Sequence, residues 1–217
     1  MKRIFRLPLF FASFILVLAF VRCGNSGGKP SDKDAQKSSK TVANLVAAYS
    51  GECNAMTRYA AFAKAADDEG YAGVASLLRA IAKSEEIHSK NFSEVIRKLG
   101  GTPVADIAKA EAKTTRENLV VAQKAELNEK DNLYPMYQKD AQTDVFTDAV
   151  KAYTFAISSE AEHSSLIQTA LEKLESQKES KIEYMVCPIC GWTTLGTNTV
   201  ERCPVCMAAR NKFVRVD

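Results

Sequence analysis

Residues 84–92 read SEEIHSKNF and residues 158–166 read SSEAEHSSL, and these two stretches decide the fold. Each contains one Glu-x-x-His pair, and together they hold the only 2 histidines of the chain. Side chains three positions apart lie on one face of a helix, so the carboxylate and the imidazole of a pair can bind the same metal ion. The pairs are Glu85 with His88 and Glu160 with His163.

Amphipathic segments surround both pairs. From Thr41 to about Gln177, hydrophobic residues recur at alternating steps of three and four, which predicts four helices of a bundle. Each inward-facing stripe is interrupted near its middle by acidic or imidazole side chains, and no lysine or arginine lies on the stripes. Uncompensated burial of ionised carboxylates costs far more than the net stability of a domain, so bound metal ions are the simplest compensation. The predicted ligands are Glu52, Glu85, His88, Glu126, Glu129, Glu160 and His163.

This ligand pattern is typical of a ferritin-like di-iron bundle, which takes one Glu from each of two helices and Glu-x-x-His from the other two. The sequence therefore predicts an all-α ferritin-like four-helix bundle over residues 41–178 with two non-haem irons inside. A single Glu or His on such a stripe is more often a surface residue or a hydrogen-bonded core residue, so the prediction depends on the mutual register of all seven. Tyr59 and Tyr134 either donate hydrogen bonds to the ligating carboxylates or simply fill the core.

Turn signals set the predicted helix boundaries. The sequence GGTP at residues 100–103 ends the second helix, and Thr114-x-x-Glu117 is a capping box that begins the third. The residues between them form a long crossover. The third helix is predicted to end near Pro135, with Met136 still on its inward stripe.

The C-terminal residues 184–217 are predicted to form a small module with a four-cysteine site. Two Cys-x-x-Cys knuckles, twelve residues apart, provide four thiolates for a tetrahedral metal site. Iron and zinc both accept this ligation, and two disulfides are a third alternative outside the cytoplasm. The cysteines are Cys187, Cys190, Cys203 and Cys206. The aromatic residues predicted to cover their sulfurs are Tyr184, Trp192 and Phe213.

The residue pattern of the N-terminus predicts that the protein is exported from the cytoplasm. Residues 1–23 combine a basic start, an apolar run from Leu7 to Val21 and Cys23 directly after it, which is typical of a lipoprotein signal, although Arg22 departs from the usual pattern. Residues 24–40 are a polar, flexible linker. The chain is predicted to be a periplasmic or cell-envelope protein tethered through a lipid on Cys23, and an uncleaved signal anchor is the alternative.

The charge balance gives no indication of a nucleic-acid partner. The formal net charge is +3, and 4 of the 29 basic residues precede Cys23, where no acidic residue occurs. The remainder therefore carries 25 basic residues against 26 acidic ones.

Taken together, these motifs resemble the rubrerythrin family from about Thr41 to Val216. The motifs are GECNAMTRYAAF at 51–62, SEEIHSKNF at 84–92, AELNEKDNLYP at 125–135, SSEAEHSSL at 158–166, CPICG at 187–191 and CPVC at 203–206. The resemblance implies an oxidoreductase of oxidative-stress defence, a peroxidase that reduces hydrogen peroxide to water. It implies that Glu85 and Glu160 bridge two irons, that Glu52 and Glu126 are terminal ligands, that His163 holds one iron, and that the other exchanges between His88 and Glu129.

The resemblance also implies an electron route. The four cysteines would hold a rubredoxin-like iron that passes electrons to the di-iron site, and in the family this transfer crosses between subunits of a head-to-tail homodimer. The family is chiefly cytoplasmic, so the export signal leaves the electron donor unidentified, because soluble nicotinamide-dependent reductases would lie across the membrane.

Two other functions remain open. A ferroxidase or iron-storage protein would oxidise ferrous iron at the same carboxylates, but it would need a hollow shell of many subunits. A pure electron-transfer protein would use the bundle metal only for structure. Glu129 and the cysteine module favour the peroxidase, with either peroxide or oxygen as the physiological oxidant.

Overall fold

The computed structural model describes residues 40–178 and 180–217. The predicted export signal and nearly all of the predicted linker, including Cys23, lie outside the described residues, so the predictions made for them stay predictions. Among the helices of the described part, none has the length and apolar character needed to cross a membrane.

Four helical rods form the bundle, and the third of them contains two α-helices. The α-helices are α1 (Lys40–Asp68), α2 (Ala72–Lys98), α3 (Thr115–Asn128), α4 (Tyr134–Thr143) and α5 (Thr147–Glu172). A π-helical turn, Glu129–Leu133, joins α3 to α4 without a break. The predicted fold class, a ferritin-like bundle followed by a small rubredoxin-like domain, is confirmed.

The predicted turn signals end and begin helices as expected. Helix α2 ends at Lys98, and Gly100 follows with a φ of +76°, a conformation that only glycine adopts without strain. Residues 101–114 form the crossover, and the capping box of Thr114 and Glu117 is present at the start of α3. Both predictions are confirmed.

The predicted end of the third helix near Pro135 is wrong. In the π-turn the N–H of Tyr134 donates to the carbonyl of Glu129, so Pro135 falls in the first turn of α4, where a missing N–H is tolerated. The turn also accommodates one residue more than an α-helix would. For this reason Met136, predicted to face inward, is 52% exposed, and Tyr134 is fully buried instead.

Two hydrophobic clusters fill the bundle, one on each side of its middle. On α2, Ile81 belongs to one cluster and Phe92 to the other, and Glu85 with His88 lies between them. On α5, Glu160 and His163 likewise lie between Ala156 of one cluster and Ile167 of the other. The polar residues therefore occupy a layer inside an otherwise apolar core.

The C-terminal module is a small antiparallel sheet. Its strands are β1 (Tyr184–Val186), β2 (Thr193–Leu195) and β3 (Val214–Val216), in the order β2-β1-β3. A 3-10 turn, Leu174–Gln177, leads out of α5 towards it. Trp192 and Phe213 meet edge to face, 6.3 Å between ring centroids, and pack with three of the cysteines. Tyr184 packs instead with the bundle core, so only two of the three predicted aromatic residues cover the sulfurs.

Candidate metal centres

The polar layer of the bundle contains two overlapping sets of ligating side chains. In each set the donor atoms all lie within 4.8 Å of one another. Glu85 and Glu160 belong to both sets, and every member is at most 1% exposed. Two sets that share two carboxylates are the donor arrangement expected for two neighbouring ions with bridging carboxylates. The sets are Glu52, Glu85, His88 and Glu160, and Glu85, Glu126, Glu160 and His163.

The electrostatics of this layer favour bound cations. Burial and the neighbouring carboxylates raise the pKa of Glu52 and of Glu126 well above the usual range. Burial also opposes ionisation of Glu160, but the two imidazoles beside it outweigh burial and lower its pKa. Glu52 Oε2 is buried and accepts no hydrogen bond from the described residues. Since metal ions would satisfy this oxygen and replace the protons, the residues present fit a pair of them.

Both histidines present the same nitrogen to this layer. His88 Nδ1 lies 2.9 Å from Glu85 Oε2 and 3.0 Å from Glu160 Oε1. His163 Nδ1 lies 2.8 Å from Glu160 Oε2 and 3.2 Å from Glu126 Oε2. The Nε2 atoms point the other way, towards the C-terminal module.

The module fixes the tautomer of each ring. His88 Nε2 donates to the carbonyl of Cys190 at 3.1 Å. His163 Nε2 lies 3.3 Å from Thr193 Oγ1, whose own hydroxyl donates to the carbonyl of Gly191 at 2.9 Å and therefore accepts from the ring. A proton held on Nε2 leaves the Nδ1 lone pair free for a metal ion.

Tyr59 and Tyr134 both bond to carboxylates of the layer. The hydroxyl of Tyr59 donates to Glu126 Oε1, and the hydroxyl of Tyr134 donates to Glu52 Oε1 at 2.6 Å. Each tyrosine fixes one carboxylate of a different ligand set, and both are completely buried. Of the two interpretations left open by the sequence, the hydrogen-bonding one therefore describes these residues.

Glu129 stands apart from the other six predicted ligands. It lies on the π-turn, is only half-buried, and belongs to neither ligand set. Burial, Glu160 and Glu85 raise its pKa to about 8, while the guanidinium of Arg58 opposes this rise. Glu129 is thus beside the layer rather than in it.

The four cysteines of the module converge as predicted. Their sulfurs lie within 4.8 Å of one another, with Cys187 3.4 Å from Cys206 and Cys190 3.4 Å from Cys203. A disulfide needs about 2.05 Å, whereas a tetrahedral site with metal–sulfur bonds of about 2.3 Å has sulfurs about 3.8 Å apart. The arrangement is that of a metal site, and all four cysteines are free of disulfides.

Sequence reasoning missed two serines that hold the module. Ser84 Oγ donates to the carbonyl of Gly191 at 2.8 Å, and Ser159 Oγ donates to the carbonyl of Cys190 at 3.0 Å. Each serine directly precedes the Glu of a Glu-x-x-His pair, so the repeated motif is Ser-Glu-x-x-His. This repetition was the signal in the sequence that could have identified them.

The fold and its two sites define a class: a di-iron-type carboxylate bundle joined to a rubredoxin-like four-cysteine module. The family model described as Rubrerythrin matches residues 43–184, and the one described as Rubrerythrin, rubredoxin-like domain, matches residues 186–214. The chain belongs to the rubrerythrin family, whose members are generally oxidoreductases. The predicted di-iron-type and four-cysteine sites are both present, as in that family.

Individual relatives agree with this assignment. The chain is 33% identical over 179 residues to Rubrerythrin-2 of Clostridium acetobutylicum, covering 82% of this chain and 97% of the relative. It is 32% identical over 174 residues to Nigerythrin of Nitratidesulfovibrio vulgaris, covering 80% and 85% respectively. The solved structure of fully reduced nigerythrin superposes with a TM-score of 0.74 at 30% identity, covering 82% of this chain and 90% of that one.

A more distant likeness shows the fold alone. The bacterioferritin of Desulfovibrio desulfuricans superposes with a TM-score of 0.61 at 20% identity, covering 67% of this chain and 85% of that one.

Proposed function

We propose that this protein reduces hydrogen peroxide to water and receives its electrons through the four-cysteine site. One observation carries the proposal: a carboxylate-imidazole site suited to two ions lies in hydrogen-bond contact with a four-thiolate site, through His88 and Cys190. Iron oxidation for storage needs no such electron entry. A pure electron carrier needs no second site of six ligating residues.

The side chains divide the work of holding two irons. Glu85 and Glu160 are the bridging candidates because both ligand sets contain them. Glu52 and Glu126 belong to one set each and are held by Tyr134 and Tyr59, which suits terminal ligands. His88 and His163 would bind through Nδ1, one in each set.

Glu129 supplies the remaining carboxylate. The family resemblance implies that Glu129, which lies on the π-turn beside the layer, would replace His88 on one iron.

When bound, two ferrous ions would supply the two electrons needed to reduce peroxide, and two protons would complete two water molecules. The carboxyls of Glu52 and Glu126, protonated without metal, release their protons when the cations bind and balance the cationic charge. The apolar clusters on both sides of the layer limit the entry of water. No organic nucleophile is required.

The test is peroxide reduction by protein loaded with iron without air. We expect close to three irons per chain, a visible ferric-thiolate absorbance, and loss of reducing equivalents at two electrons per peroxide. Glu85→Gln should abolish turnover because Glu85 is shared by both ligand sets. Glu86→Gln is the matched control, since Glu86 is the next residue of α2 and faces solvent, paired with Lys83.

Other outcomes would change the assignment. A colourless protein with zinc at the cysteines would remove the internal electron source and favour iron oxidation. Large hollow assemblies that accumulate iron would favour storage. Equal peroxide turnover by Glu85→Gln and the unsubstituted protein would refute the proposed site.

We also propose, from residues 1–23 alone, that the folded part works outside the cytoplasm on a lipid anchor at Cys23. Cys23→Ala should release the protein from the membrane fraction of its host. Cys53→Ala, a substitution of a free cysteine inside the bundle, should leave it there. A protein that fractionates as cytoplasmic with an intact N-terminus would contradict the proposal.

A further inference from the structure

We infer that a cavity on the side of the bundle binds a small inorganic oxyanion at the guanidinium of Arg58. The cavity lies between α1, the crossover and the start of α3, and its volume is about 180 Å³. It is separate from both metal sites and from the peroxide reduction proposed for them. Three cations and one carboxylate line it, which gives the lining a net charge of +2; these residues are Arg58, Lys109, Lys113 and Glu111.

Arg58 is a half-buried arginine without a counter-ion in contact. Its Nε is buried and has no hydrogen-bond partner among the described residues, and no described carboxylate forms an ion pair with it. Arg79, by contrast, pairs with Asp67 at 2.8 Å. Partial burial of a cation costs hydration free energy, which an anion bound in the cavity would offset.

The aromatic ring of Tyr59 supports one side of this guanidinium. Arg58 Cζ lies 5.1 Å from the centroid of the ring, within the range of a cation-π contact. A guanidinium held in this way still offers the N–H groups at its edge, and these match two oxygens of a single oxyanion. The site should therefore prefer an oxyanion to a halide ion.

Two asparagines hold the lysine-bearing segment of the crossover in place. Asn54 Nδ2 donates to the carbonyl of Asp106 at 2.7 Å, and the N–H of Ala108 donates to Asn54 Oδ1 at 2.8 Å. The N–H of Lys113 donates to Asn118 Oδ1 at 2.8 Å, and Asn118 Nδ2 donates to the carbonyl of Lys113 at 2.9 Å. The segment is thus fixed to α1 at one end and to α3 at the other, so a ligand need not order it.

The size of the cavity decides the class of ligand. Sites for drug-sized molecules and cofactors measure about 300–1,000 Å³, and one water molecule takes about 30 Å³ of the liquid. A cavity of about 180 Å³ therefore suits a four-oxygen ion such as phosphate or sulfate together with a few waters. The apolar side chains of Phe62 and Val121 also line it, and low-dielectric walls strengthen the attraction of the cations for an anion.

The cavity adjoins the carboxylate layer without belonging to it. None of the described residues that line it is a member of either carboxylate ligand set. Tyr59, beneath the guanidinium, donates its hydroxyl proton to Glu126 of the layer in a hydrogen bond. An oxyanion on Arg58 would therefore neutralise a charge that lies one side chain away from the layer.

Titration calorimetry with inorganic phosphate tests the inference on the full-length, iron-loaded protein at constant ionic strength. We expect saturable binding of one phosphate per chain, with competition by sulfate and none by chloride. A heat signal that never saturates, or that chloride reproduces, would mean screening of surface charge only and would overturn the inference.

Matched substitutions locate the site. Arg58→Gln should weaken phosphate binding about tenfold or more, because it removes charge-assisted hydrogen bonds, and Arg58→Lys should weaken it less. Arg116→Gln removes the same charge three residues beyond Lys113, from an exposed side chain that is not among the lining residues, and should leave the affinity unchanged. Equal losses in Arg58→Gln and Arg116→Gln would refute a specific site.

A second lysine variant covers the case in which Arg58→Gln does not fold. Lys113→Gln changes an exposed side chain and should weaken phosphate binding about threefold. Lys64→Gln is its control, since Lys64 pairs with Asp68 on α1 and does not line the cavity. Unchanged affinity in Lys113→Gln would remove the crossover from the site.

Bound iron also attracts phosphate, so one further variant separates the two locations. Glu85→Gln removes a carboxylate shared by both ligand sets and should keep the phosphate affinity. Binding that is lost in Glu85→Gln and kept in Arg58→Gln would place the phosphate on the irons and contradict the inference. Saturating phosphate should also slow hydrogen exchange in residues 106–113. None of these measurements uses peroxide, so the oxyanion site and the proposed function can fail independently.

Discussion

The two metal sites of this protein are built in opposite ways. The carboxylate site takes its ligands from four helical rods, and its residues span Glu52 to His163. The four-cysteine site takes all its ligands from two knuckles inside residues 187–206. The first lies between two hydrophobic clusters that belong to long helices. The second is enclosed by one small cluster around Trp192 and Phe213.

This difference teaches which site depends on its metal for structure. Long helices with two apolar clusters can fold first and then offer a site, because protons can occupy the carboxyls until cations arrive. Three strands of three residues each bury too little to fold without the metal or the bundle beneath them. The bundle can therefore fold before it binds its ions, whereas folding of the module depends in part on its ion.

The largest expected effect is the loss of the module on removal of one sulfur ligand. Cys203→Ser should abolish protection of residues 184–217 in hydrogen exchange, because structural tetrahedral sites contribute about 10–16 kcal/mol to folding in zinc-finger peptides. Helices α1 to α5 should keep their protection. Cys53→Ser, at a cysteine outside the module, is the control. Retained protection of β1 to β3 would show that docking on α2 alone holds the module together.

The second effect concerns pH and applies to the bundle without metal. Burial and neighbouring carboxylates raise the pKa values of Glu52, Glu126 and Glu129, the last to about 8. The pKa of His88 is raised to about 10, because its carboxylate neighbours outweigh burial. Groups with raised pKa bind more protons folded than unfolded at neutral pH, so their stabilising contribution is lost as pH rises through the folded values.

Metal-free protein should therefore lose thermal stability steadily between about pH 6 and pH 9. Metal-loaded protein should lose much less, because cations have replaced the protons. Calorimetry of both forms measures the difference. A flat profile for the metal-free bundle would mean that some other cation or a rearrangement already compensates the carboxylates.

The third effect separates ligand support from packing. Tyr134→Phe removes the hydroxyl that donates to Glu52 and should weaken iron binding about tenfold in a chelator competition. Tyr137→Phe is the control, since Tyr137 packs against Tyr134 in the same cluster and has no such bond to the layer. Equal iron affinities in the two variants would mean that Tyr134 serves only to fill the core.

The smallest effect lies far from both sites. Thr114→Ala removes the capping box of α3 and should lower the free energy of unfolding by about 1 kcal/mol, with both metal spectra unchanged. Thr147→Ala is the control, because its helix begins without a side-chain cap. A change in either metal spectrum would show that the crossover and the sites are coupled.

Most ligands of the bundle site could be predicted from the sequence, because side-chain spacing decides which residues share a helix face. The two Glu-x-x-His pairs and the two Cys knuckles are local patterns of this kind, and the chain folds them as their spacing indicates. The same reasoning was wrong at Met136, because it assumed one helical period through a segment that contains a π-turn.

The docking of the module could not be predicted for a different reason. Its principal acceptors are the backbone carbonyls of Cys190 and Gly191, and every residue carries such a group. Only the donors leave a trace in the sequence: Ser84 and Ser159 each precede a Glu-x-x-His pair, but this repetition does not say which backbone carbonyl they meet. Contacts between a side chain and a distant backbone therefore need the structure to reveal them.

The number of residues in the π-turn at Glu129–Leu133 determines where the carboxylate of Glu129 lies relative to the metal-binding layer. The turn absorbs one surplus residue, and the helix beyond it keeps the rotation that points Tyr134 at Glu52. The extra residue therefore leaves the side-chain directions beyond the turn unchanged. It changes only the position of Glu129, which lies on the turn itself. One additional residue can in this way place a single carboxylate beside a buried site while the other six ligands keep their positions in it.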